Sequence, residues 1–126
     1  MSVSKYNYTG FAYKLADDNT YDTINNKLEE LAESQGHCWY NDLEFDDSHI
    51  RIVSDGMCGT YIYLFYVLSQ NEDEDYEDHS KSYPIDEFLK LANGATEAVE
   101  KAYNKLAFDA PFDKSKLLYI NLEHYC

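Results

Sequence analysis

The stretch "YIYLFYVL", Tyr61–Leu68, narrows the choice of fold more than any other part of the chain. It is far shorter than the ~20 apolar residues a membrane-crossing helix needs, and its β-branched and aromatic side chains suit a strand. Both parities of the run are apolar, so both faces of that strand must be covered. The expectation is a central strand with helices on one side and tyrosine or a partner on the other.

The surrounding pattern supplies the rest of the sheet. "KYNYTGFAYKL" (5–15) alternates as a first strand, with Phe11, Tyr13 and Leu15 on one face. "HCWYNDLEF" (37–45) places Trp39, Leu43 and Phe45 on one parity against Tyr40, Asp42 and Glu44, which reads as a half-buried strand. "DDSH" turns the chain into "IRIVS" (50–54), and "DGMCG" is a glycine-rich reversal of the kind that joins antiparallel strands. At the end of the chain "KLLYINLEHYC" alternates Leu118, Ile120 and Leu122 against Tyr119, Asn121, Glu123 and Tyr125.

Two segments switch to helical spacing. "NTYDTINNKLEELAESQG" carries Tyr21, Ile24, Leu28, Leu31 and Ala32 on one stripe, with Asn19 or Thr20 as N-cap and Gly36 as C-terminal cap. The second stripe comprises Ile85, Phe88, Leu89, Ala92, Ala95, Val99, Ala102, Tyr103 and Leu106, opened by Pro84 and interrupted by Asn93-Gly94, where the helix is expected to weaken or split. The order β-α-β-β-β-α-β implies an α+β fold: a mainly antiparallel five-stranded sheet with two helices on one face. The other face is then expected to show Tyr40, Asp42, Glu44, Tyr119, Glu123 and Tyr125. One domain over residues 1–126, with an acidic loop at 70–83, accounts for the whole length.

Charge bounds the function. Ten Lys plus Arg against 24 Asp plus Glu leave a formal charge of −14, which repels nucleic acid and anionic lipid and attracts basic surfaces. Thirteen Tyr, six Phe and Trp39 argue against disorder, and so many phenols place some rings at the surface. Three cysteines, Cys38, Cys58 and Cys126, form no Cys-x-x-Cys pair and suit reduced thiols. The N-terminus has no apolar segment behind a basic start, so a cytoplasmic location is expected, the host cytoplasm for a phage-encoded chain.

Searches for catalytic motifs return little. His37-Cys38 and His124-x-Cys126 lack the second spaced pair of a zinc site. Cys58 between Gly56 and Gly59 resembles an exposed nucleophile turn, yet a hairpin reversal explains both glycines. There is no Gly-x-Ser-x-Gly, no phosphate-cradling loop and no Gly-x-Gly-x-x-Gly. No cofactor and no metal is expected, and the chain reads as a non-enzyme; an enzyme remains the lesser alternative, because among 24 acids almost any pocket would hold two.

What remains is the acidic run. Glu72, Asp73, Glu74, Asp75, Glu77 and Asp78 surround Tyr76 in "EDEDYED". An EF-hand frame started at Asp73 puts Asp78 where glycine is needed and Pro84 where a bidentate Glu is needed, so the run is not that calcium loop. Extended, it advances ~3.3 Å per residue, close to the ~3.4 Å per phosphate of a DNA strand. A second cluster, Asp42, Glu44, Asp46 and Asp47, lies in "DLEFDD", and on one edge of the sheet the two would form a continuous acidic ridge.

With "EDEDYED", "DLEFDD", its small size and its tyrosine content, the chain resembles the acidic DNA-mimic proteins, anti-restriction or anti-CRISPR, of phages and mobile elements. It is similar also to the immunity proteins that neutralise nuclease toxins. The resemblance implies an inhibitor that blocks the basic site of a nucleic-acid enzyme such as a CRISPR effector or restriction nuclease, without binding nucleic acid itself. Partner contacts are expected from Glu72 to Asp78 and from Asp42, Glu44, Asp46 and Asp47, with tyrosines giving apolar contact. A homodimer through the tyrosine-rich sheet face is a further expectation.

Overall fold

Two long antiparallel strands form the spine of the molecule: β1, Lys5–Ala16, and β3, Ile62–Glu72. The computed structural model describes residues 5–55, 58–72 and 83–125. Within them the order is β1, α1 (Tyr21–Ser34), β2 (Ile50–Ser54), β3, α2 (Ile85–Lys105) and β4 (Leu117–Tyr125). The sheet has four strands in the order β2-β3-β1-β4, and every neighbouring pair is antiparallel. The α+β class and the central place of the Tyr61–Leu68 run agree with the sequence, while the five-stranded count does not.

The missing strand is the 37–45 segment. Tyr40–Asp42 forms a 3-10 turn instead, and three residues per turn shift the side-chain phase between Trp39 and Leu43. Leu43 is buried and Phe45 half-buried, as alternation predicts, but Tyr40 is buried and Trp39 exposed, the reverse of the expected parity. Burial pushes the Tyr40 hydroxyl up to about 12, with hydrogen bonds to Ser54 and Tyr21 as lesser influences.

Both helices cover one face of the sheet. Leu28 and Ala32 of α1 meet Val99, Ala102 and Tyr103 of α2, together with Tyr13, Ile50, Ile52, Ile62 and Leu64 from the strands. The end of α1 is closed as its glycine predicts: Gly36, at φ 81°, donates to Glu33 O, and His37 donates to Ala32 O. Its start is held differently from expectation. Thr20 occupies the N-cap and its carbonyl accepts from Ile24 N, but its side chain does not cap the helix; the Asp17 carboxylate instead accepts from Asn19 N, Thr20 N and the Thr20 hydroxyl. α2 runs unbroken through Asn93-Gly94.

The opposite face carries apolar side chains together with Tyr8, Tyr61 and Tyr63, rather than the expected acids and Tyr119. Residues that pair directly across antiparallel strands share a face, and Leu118 pairs with Ala12, Ile120 with Gly10 and Leu122 with Tyr8. Ala12, Val53, Phe65 and Tyr8 form a second buried cluster there, flanked by Tyr61, Tyr63, Val67, Ile120 and Leu122. Tyr119, expected on that face, points instead to the helices, between Phe11 at 5.4 Å and Phe88 of α2 at 5.1 Å. This three-ring contact sets the parity of β4. The side chains of Glu123 and Tyr125 lie outside the described residues.

No described helix is long and apolar enough to cross a membrane.

Candidate functional site

The chain from Trp39 to His49 runs beside β2, one of the two edges of the sheet. Asn41 Nδ2 donates to Ile52 O at 3.0 Å, which ties the segment to that strand. Leu43 and Phe45 turn into the helix-side core, so the residues between them turn out. Asp42, Glu44 and Asp46 are consequently all exposed. Asp42 closes the 3-10 turn and Glu44 and Asp46 follow at alternate positions, so the three carboxylates form a row in sequence along the edge. Lys105 of α2 fastens the row from behind, donating to Glu44 O at 2.8 Å with its ammonium 5.8 Å from the Phe45 ring.

Asp47 behaves differently from its three neighbours. It is half-buried, and its Oδ1 accepts from His49 N at 2.9 Å and meets His49 Nδ1 at 2.7 Å. Burial works to raise its pKa, but these hydrogen bonds and the imidazole's charge outweigh it and the carboxyl sits below the usual range. The His49 ring stacks on Tyr66 at 4.9 Å, and His49 O accepts from Val67 N. Asp47 therefore closes the turn into β2 and contributes to the row less than its charge suggests.

A cleft of about 460 Å³ lies between this turn and α2. Asp46, Asp47 and Glu97 line it together with His49, Lys101 and Lys105, so acid and base are nearly balanced within it. Asp42 and Glu44 stand outside. Among the described residues no group of three or more His, Cys, Asp or Glu is placed to hold a metal ion. The Cys58 reversal is organised by Asp55, whose carboxylate accepts from Cys58 N at 3.1 Å and from the Thr60 hydroxyl. Cys38 and Cys58 are both free and exposed.

Of the expected binding residues, Asp42, Glu44, Asp46 and Asp47 come together on this edge. Glu72 is the last residue of β3, while Asp73, Glu74, Asp75, Tyr76, Glu77 and Asp78 lie outside the described residues. Val67 bonds His49, and the Glu72 backbone follows five residues on, ~16 Å along β3. Two features of the site were not read from the sequence. The Asp47-His49 clamp depends on the turn geometry, and the exposed Trp39 on the phase shift of the 3-10 turn. No protein-family model, curated protein or solved structure matches this chain.

Proposed function

We propose that the protein is a non-enzymatic acidic inhibitor that occupies the basic nucleic-acid-binding surface of a partner protein, after the manner of DNA-mimic anti-restriction or anti-CRISPR proteins. The observation that carries this reading is the row Asp42, Glu44 and Asp46, held outward by the inward Leu43 and Phe45 on a chain of net charge −14. The row is backed by structure and so pays little ordering entropy on binding. Exposed carboxylates on one edge attract Lys and Arg, steer the encounter and displace the anions that such a groove collects.

Trp39 adds the contact that charge alone lacks. It is exposed at the start of the row, and an indole face takes a guanidinium or ammonium by a cation-π contact. Trp is also enriched among residues that carry binding energy. Glu72, the last residue of β3, is followed in sequence by five carboxylates up to Asp78, which adds to the acidic character of the chain.

The test is capture of CRISPR effectors and restriction nucleases by the immobilised chain, with DNA as competitor. Three exposed carboxylates at ~0.5–1 kcal/mol each amount to ~10–100-fold in affinity. Asp42→Asn, Glu44→Gln and Asp46→Asn together should lose that factor, and Trp39→Ala should lose about tenfold alone. Retained binding by the triple variant, or binding that DNA does not compete with, contradicts the reading.

A further inference from the structure

The edge opposite the acidic row is built differently. Natural sheet edges are usually protected by shortness, lysine, proline, bulges or a covering segment. β2 is short and has the 39–49 segment beside it. β4 has nine residues, contains neither Lys nor Pro, and pairs with β1 in unbroken register from Leu117 to Tyr125. Among the described residues nothing pairs with its outer side.

Exposed apolar side chains gather at the same place. Among the described residues five large apolar side chains are exposed: Trp39 at 66%, Ile85 at 78%, Leu89 at 55%, Leu118 at 49% and Tyr119 at 50%. Apart from Trp39, all belong to β4 or to the first turns of α2, where Phe88 packs on Tyr119. Ile85 is about five helical turns before Tyr103 and shares its azimuth, which faces Tyr13 and Phe112. The other flank of α2, with Gly94, Lys101 and Lys105, meets the 45–50 turn. Ile85 and Leu89 therefore lie on the β4 side.

We infer that β4 is a self-association edge, pairing antiparallel with β4 of a second copy about a two-fold axis near Ile120. Such an axis sets Leu118 opposite Leu122 of the second copy and continues the apolar face into an eight-stranded sheet. It also keeps both helix layers on one side, so Ile85, Leu89 and Tyr119 approach their counterparts across the seam.

Area decides which residues matter. A nine-residue edge is ~30 Å long and a sheet with its side chains ~10 Å thick, so the strand alone offers ~300 Å² per copy. A stable interface needs ~500 Å² per copy. The difference must come from α2, which makes Leu89 as necessary as Leu118. Two copies of charge −14 repel through solvent, and that repulsion is screened by salt. The dimer is therefore strengthened by salt, whereas binding through the acidic row is weakened. This inference stands independently of the proposed function.

Sedimentation of the full chain should show a dimer that tightens as salt is raised. Leu89→Glu and Leu118→Glu should each raise its dissociation constant about tenfold or more. Both positions are exposed, so circular dichroism melts of these variants and the parent should match at concentrations below the dissociation constant, where all are monomers. In a chain with its native cysteines changed to serine, Ile120→Cys should oxidise to a covalent dimer, because directly paired Cα atoms stand ~4.5–5.5 Å apart. A monomer at all concentrations, a dimer indifferent to both glutamates, or a monomer that takes up only a different protein at this edge overturns the inference.

Discussion

Built onto the Gly10 backbone, a Cβ lands 2.0 Å from Tyr66 O and 3.1 Å from Leu68 N, both main-chain atoms where β3 bulges between its pairings to Thr9 and Gly10. The Phe65 ring, 3.1 Å from the same point, already fills the space over the glycine. Gly10→Ala must therefore move backbone in the two central strands, and a loss of about 3 kcal/mol is expected from denaturant midpoints. Tyr40 makes a prediction of another kind. Its phenol is held at about 12 in the folded chain against 10.0 in the unfolded one, so the folded state binds that proton more tightly. The resulting stabilisation is complete below pH 10 and is lost as pH rises toward 12, by about 2 kcal/mol. Tyr40→Phe should flatten this alkaline loss, leaving only the weaker contributions of Tyr66 and Tyr103, whose hydroxyls burial also raises.

Within α2 the sequence raised a doubt that the structure resolves through packing. Gly94 stands in an unbroken helix with nothing within 4 Å of an added Cβ, so Gly94→Ala should stabilise the protein by up to about 1 kcal/mol, read from the melting temperature. The buried residues Ala95, Val99, Ala102 and Tyr103 hold the helix across the weak point. The elements that were legible are those whose hydrophobic period persists: β1, α1, β2, β3, α2 and β4 all follow from alternation or helical spacing. Two things were not legible, for a shared reason. Alternation defines two faces of β4 without saying which is inward: hydrophobicity alone turns Leu118, Ile120 and Leu122 toward the helices, whereas Tyr119 fits between Phe11 and Phe88. In the 39–45 segment the 3-10 turn changes the phase midway, which moved Trp39 out and Tyr40 in. The exposure of Asp42 and Glu44 survived that error because Leu43 and Phe45 lie beyond the turn.

At the scale of the whole molecule the two proposals sit on opposite edges of the sheet. The 39–49 segment beside β2 carries the acidic row and Trp39, and β4 carries apolar side chains and an outer side that nothing pairs with among the described residues. The two proposals predict salt responses of opposite sign, which separates them in a single set of titrations. The most direct test of the central claim is the salt dependence of affinity for a captured nuclease, for the parent chain and for the variant with Asp42→Asn, Glu44→Gln and Asp46→Asn. The account predicts steep weakening of the parent with salt, and a variant that binds at least about tenfold less tightly with a shallower dependence. Equal affinity and equal slope for the two chains would contradict it.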